Sequence, residues 1–254
     1  MPRRHGNRRR AFTLIELLVV LGIFSVLLAV LLPAINRSGE QARRVVCLSN
    51  LRQLAIAARM YCETYNGSFP IAQYSTSRPP LFIQHAWDFT TTRNLDTGQI
   101  TVEPGLLWLG RTDMRIHQCP SFDGRSNTLA DPYTGYNYNT SYIGHGQGEA
   151  IVAPARLSQI RRPERCALFG DGQYWGGANK FMRSPFPAPG DLFFRGRSAG
   201  TQGFRHLGMT NVVFVDGHAE SLSRRYTDTI PQEQPNIAWN TGFISSDNSM
   251  YDIQ

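Results

Sequence analysis

The sequence predicts an α+β chain: one long N-terminal helix whose second half packs on an antiparallel sheet. Three observations predict it. Residues 12–35, FTLIELLVVLGIFSVLLAVLLPAI, form an almost wholly apolar run, and a helix needs about 20 such residues to span a bilayer. Residues 40–65 then place apolar side chains at 48, 51, 54, 55, 58, 61 and 62, the three-to-four spacing of an amphipathic helix. Beyond them come short apolar and aromatic runs and Asp-Gly pairs at 123, 171 and 216, which read as strands and turns.

Residues 1–11 are a basic leader containing Arg3, Arg4, Arg8, Arg9 and Arg10. Removing those five from the formal charge of +7 leaves about +2, an ordinary value. The basic balance therefore speaks for membrane topology and against nucleic-acid binding. Three arginines (Arg37, Arg43, Arg44) follow the apolar run against five before it. The positive-inside rule then puts the N-terminus in the cytoplasm and everything after Ile35 outside it.

The apolar run is too long for a cleaved secretory signal, and no A-x-A-like site follows it. A plain anchor fits the length but gives no reason for Glu16, since a carboxylate within a membrane helix is costly unless it has a partner. Pro33 removes a backbone donor and is expected to kink or locally melt the helix.

Residues 8–20, RRRAFTLIELLVV, resemble the signal of type IV prepilins and type II secretion pseudopilins. The resemblance implies a pilin-like fold and a cut by a prepilin peptidase between Ala11 and Phe12, with N-methylation of the new Phe12 amine. Glu16 becomes the fifth residue of the mature chain and an assembly residue, paired with the Phe12 amine of a neighbouring subunit. Ala11 departs from the usual Gly before the cut. The segment 12–35 is then both membrane anchor and assembly helix, in the inner membrane as a single pass. The partners implied are the peptidase and other (pseudo)pilin subunits, in a homo- or hetero-polymer.

Residues 36–67 continue the helix, weakened at Ser38-Gly39 and ended by Asn66-Gly67 and Pro70. A helix from residue 12 to about 65 is roughly 80 Å long. Residues 68–254 form an extracytoplasmic β-rich domain, large enough for one core. Cys47 and Cys62, about 22 Å apart on one helix, cannot bond each other. Any disulfide among Cys47, Cys62, Cys119 and Cys166 would tie the helix to the domain, with the pairing open and buried free thiols the alternative.

The runs 81–89 and 105–110 read as strands or loop anchors. His117 and Cys119 read as packed side chains rather than metal ligands. Residues 131–148, DPYTGYNYNTSYIGHGQG, read as a sheet-edge strand with interfacial tyrosines and then a glycine loop. The alternative for that stretch is a surface that reads envelope polysaccharide, on a module merely displayed through the prepilin signal. RCALFGDG (165–172) reads as a strand ending in an Asp-Gly turn, 183–200 as an exposed Pro/Gly-rich loop, and 227–254 as a polar tail pinned by Trp239 and Phe243.

In FRHLGMTNVVFVDGHAESL (204–222), NVVFV and HAESL flank Asp216-Gly217 and read as a hairpin. Together with CLSNLRQLAIAARMYCETYNGSFP and MRIHQCPS, the H-x9-DG element formed by His206, Asp216 and Gly217 resembles a large prepilin-type family abundant in planctomycetes. His206 is expected to hydrogen-bond the hairpin (206–217), with Asp216 and Gly217 shaping its turn. No cofactor is expected; the alternative is calcium or another divalent metal on His206, Asp216 and His218. No nucleophile context for a hydrolase is present, so the expected role is structural and not enzymatic.

Overall fold

The computed structural model describes residues 13–108, 114–126, 130–145, 153–188 and 200–254. The chain divides into two compact units, with the division after Glu40. One helix, α1 (Leu14–Thr64), contributes residues to both.

In the first unit every described residue through Arg37 is exposed, including Leu14, Ile23, Val30 and Ile35. The segment is long and apolar enough to cross a membrane, and none of its most apolar stretch is buried. Pro33 lies inside α1, and the helical run continues through it and through Ser38-Gly39. The expected local melting is not seen: one ladder bond lost to the proline leaves the flanking turns of a 51-residue helix in place.

The second unit is built on α1 from Gln41 onward and on three sheets. Within it α1 buries Cys47, Leu51, Leu54, Ala55, Ala57, Ala58 and Cys62, close to the stripe that the apolar spacing marks. Leu51 and Leu54 are fully buried, each worth about 1.5–3 kcal/mol of apolar transfer. Asn66 (φ 53°) and Gly67 (φ 81°) turn the chain out of the helix in left-handed geometry.

A four-stranded antiparallel meander follows, in the order β1 (Gln73–Arg78), β2 (Leu81–Ala86), β3 (Phe89–Asn94), β4 (Ile100–Pro104). The central sheet contains β5 (Tyr136–Asn139), β6 (Ala167–Asp171) and β7 (Phe181–Met182). After β8 (Gln202–Gly203) it is completed by β9 (Thr210–Phe214) and β10 (Ala219–Leu222). Its order is β10-β9-β6-β5-β7, antiparallel except for the parallel pair β5 and β7. A short ribbon pairs β8 with β11 (Thr241–Gly242).

The central sheet is covered on both faces, which is why β6 and β9 read as continuous apolar runs. One face shares a core with the α1 stripe and includes Trp87, Tyr138, Phe169 and Val213. The Tyr138 ring stacks on Phe169 at 5.0 Å, and Trp87 lies 5.1 Å from the same ring. On the other face Val212, Phe214 and Met182 meet Phe243, Ile244 and Tyr251 of the C-terminal segment.

Two expectations are corrected here. The Tyr/Asn strand is not a sheet edge: all four residues of β5 are buried, between β6 and β7. Its asparagines are consumed internally, Asn139 donating to the carbonyls of Ala167 and Tyr251 and Asn137 to that of Thr201. The C-terminal segment is pinned by Phe243 and Tyr251, whereas Trp239 is 87% exposed. The buried Tyr251 hydroxyl accepts from the Ile244 amide at 3.0 Å, so the segment is part of the core. The glycine loop from residue 146 onward and most of 183–200 lie outside the described residues.

Candidate functional site

Two places carry chemistry, one in each unit. In the first, Thr13 precedes α1 and Glu16 sits in its first turn. The Thr13 amide and hydroxyl both donate to Glu16 Oε2 at 2.8 Å, and the Glu16 amide donates to Thr13 Oγ1 at 3.2 Å. This is a capping box: a T-x-x-E pattern in which each side chain satisfies the other's backbone donor. The pattern is present in the sequence as TLIE, so Glu16 has a helix-start role that the membrane argument alone overlooks. Ala11 and Phe12 lie outside the described residues.

In the second unit four chain segments bring their polar groups to one buried point. The α1 stripe supplies Cys47. The turn after the short helix Met114–His117 supplies Cys119. The end of β6 supplies Asp171, and the tight turn before β9 supplies Arg205 and His206. All four cysteines are free thiols and buried. Cys47 Sγ lies 2.8 Å from Cys119 Sγ, and Cys119 Sγ lies 3.6 Å from His206 Nε2. His206 Nε2 is 3.2 Å from Asp171 Oδ2, with both side chains fully buried.

Arg205 closes the other side. Its Nε donates to Cys119 Sγ at 3.3 Å, one Nη to Asp171 Oδ1 at 3.2 Å, and the same nitrogen to the Gly135 carbonyl. The Asn211 amide donates to Asp171 Oδ2 at 2.7 Å. Burial pushes the Cys119 thiol up, but the hydrogen bond from Cys47 and the Arg205 charge outweigh it and bring it down to about 5. Cys47, as the donor to Cys119 and a buried group, is pushed far up. Burial lowers His206, and its bonds to Asp171 and Cys119 raise it to about 10. The Arg205 guanidinium thus lies between the Cys119 sulfur and the Asp171 carboxylate, the partner that a buried charge requires.

The H-x9-DG residues separate. His206 joins the buried cluster, and its amide donates to the Met209 carbonyl at 3.0 Å. Asp216 lies beyond the far end of β9, where Oδ1 accepts from the His218 amide at 3.0 Å and lies 2.6 Å from His218 Nδ1. Gly217 (φ 94°) makes the turn. Asp216 and His218 pair at the surface while His206 is buried with Asp171, so these three residues do not form the alternative cation site. Cys62 and Cys166 are buried apart from the cluster, Cys166 donating to the Tyr251 carbonyl at 3.4 Å.

Two further buried polar groups stand outside this cluster. Lys180 Nζ lies 2.9 Å from Asp88 and 3.1 Å from Asp131, with all three side chains buried. His117 accepts a 2.6 Å bond from Trp108 Nε1, and burial and the Lys180 charge push it down to about 3, keeping it neutral.

Residues 6–32 match the prokaryotic N-terminal methylation motif. The match spans Thr13, Glu16 and most of the apolar half of α1. Comparison with curated proteins and with solved structures gives no match. The chain therefore carries a prepilin-type signal at the head of an α+β, pilin-like architecture. Such a signal supports processing by a prepilin peptidase, assembly with pilin subunits in general, and membrane anchoring through the apolar helix.

Proposed function

We propose that this chain is a structural subunit of a type II secretion-like pseudopilus or type IV pilus-like filament, of the prepilin-type family with the H-x9-DG element. One observation carries the reading: the methylation motif at 6–32 heads a helix whose first, apolar half is wholly exposed. In the inner membrane lipid covers those side chains. After cleavage between Ala11 and Phe12, neighbouring helices cover them in a filament core, with the globular unit outside the cytoplasm. Glu16 meets the methylated Phe12 amine of a neighbour there, a pairing that fixes register because an unpaired carboxylate in that core is costly. The polysaccharide-reading alternative relies on a Tyr/Asn-rich surface within 131–148, and the strand Tyr136–Asn139 in that stretch is buried.

Two roles of Glu16 compete, capping and assembly, and two substitutions separate them. Glu16→Gln keeps a side chain that serves the capping box but removes the charge. Thr13→Ala removes the cap and keeps the charge. N-terminal sequencing and mass of membrane-extracted protein, with and without the peptidase, should show a chain starting at N-methyl-Phe12 only with the enzyme. Glu16→Gln should be processed yet fail to enter filaments, while Thr13→Ala assembles. An intact start in both strains would overturn the reading; assembly of Glu16→Gln at the normal level would overturn the pairing.

A further inference from the structure

We propose that Cys47, Cys119, Asp171 and His206 form a closed site for one thiophilic divalent cation of the zinc class. Their four donor atoms lie within 4.8 Å of one another, and all four residues are buried. Zinc takes sulfur at about 2.3 Å and nitrogen or oxygen at about 2.0–2.2 Å in a tetrahedron. Donors around such an ion are separated by about 3.3–3.8 Å, given those bond lengths. The Cys119–His206 and His206–Asp171 separations, 3.6 and 3.2 Å, are close to that range. The two sulfurs, at 2.8 Å, must part by about 1 Å to admit the ion, a distance within reach of small χ rotations.

The donor set selects the ion. Two sulfurs exclude a hard cation such as calcium, which takes six to eight oxygens, whereas Cys, His and carboxylate suit zinc. The charges also close: two thiolates and one carboxylate are met by a divalent ion and the Arg205 guanidinium. Arg205 and the Asn211 amide already orient the Asp171 carboxylate, as outer partners orient ligands. The four ligands come from segments far apart in sequence, each on a fixed element or a tight turn. A disulfide between Cys47 and Cys119 would occupy two of the four donors and leave Asp171 and His206 paired only with each other and Arg205. A closed four-ligand site is structural, and this one would clamp α1 to the central sheet.

The test uses the full chain, extracted in detergent without chelator or metal-affinity resin. Elemental mass spectrometry should find about one zinc per chain. Denaturation without reductant should then expose four alkylatable thiols. Cobalt exchanged into the wild-type protein should give the intense bands of a tetrahedral, thiolate-bound ion. Cys119→Ser and His206→Gln should lose the metal, and Cys166→Ser should keep it. Three results would each overturn the site: a Cys47–Cys119 disulfide, no zinc retained after incubation with zinc and desalting, or cobalt without a thiolate charge-transfer band. Because the cobalt spectrum and thiol count come from the unaltered chain, they decide the matter even where a variant fails to fold.

Discussion

Two Asp-Gly pairs follow two adjacent strands of the same sheet and end up in opposite circumstances. Asp171-Gly172 ends β6, and Asp171 is wholly buried among Arg205, His206 and Cys119. Asp216-Gly217 follows β9, and its carboxylate faces solvent beside His218. The cause is topological. β6 and β9 are antiparallel, with Gly170 opposite Val212 and Ala167 opposite Phe214. Their C-terminal ends therefore point to opposite ends of the sheet. One end is covered by α1, Cys119 and the turn at Arg205; the other is a hairpin tip. His206 enters β9 at the covered end, and the strand itself, about 17 Å for five residues, carries the chain away to Asp216. An identical dipeptide is a charge centre at one end and a turn at the other.

The largest effect that tests this contrast comes from the carboxylates. Asp171→Ala leaves Arg205 and His206 buried without their anion and should cost about 3–5 kcal/mol. Asp216→Ala removes an exposed group and should cost about 1 kcal/mol or less. Urea midpoints of the two variants, at equal slope, measure the difference. Similar midpoints would break the comparison, because they would mean the Asp171 network contributes nothing.

The glycines beside them should differ by less. A Cβ on Gly172 would sit 2.1 Å from the Asn179 carbonyl oxygen and 2.8 Å from Asn137 Cβ. Gly172→Ala should therefore cost about 3 kcal/mol, since buried backbone must move. Gly217 has φ +94° and open space around it. Gly217→Ala should cost about 1–2 kcal/mol, from left-handed backbone strain alone. The same urea series checks both; a Gly217 variant as unstable as the Gly172 one would show that the hairpin tip is packed, not open.

The contrast also marks what a sequence can tell. The apolar run, the capping pattern TLIE, the α1 stripe and the β9–β10 hairpin are local signals with fixed periods, and each is legible. Cys47, Cys119 and His206 stand out one by one, but nothing in their spacing says that they meet. Their convergence depends on which strands pair and which end of the sheet the helix covers. Asp171 reads as a turn residue because Asp-Gly after a strand is a turn in most settings. The Tyr/Asn strand misleads for the same reason: alternation reports a pleat, whereas burial on both faces depends on the C-terminal segment folding back over the sheet. Lys180, Asp88 and Asp131 carry no local signal at all.

The smallest effect lies entirely at the open end. His218 stacks on the Phe214 ring at 4.5 Å and reaches Asp216 at 2.6 Å, with both side chains of the pair about a third or more exposed. Water and salt screen such a pair, so its coupling should be about 0.5 kcal/mol and should fall as salt is added. A double-mutant cycle of Asp216→Ala and His218→Ala isolates that coupling from the stacking, since the stacking loss appears equally with and without the aspartate. Two open, solvated partners cannot sustain a salt-insensitive coupling above about 2 kcal/mol. A value of that size would put the hairpin tip in a low-dielectric contact, and the distinction between the two Asp-Gly pairs would then be one of which surface covers them rather than whether one does.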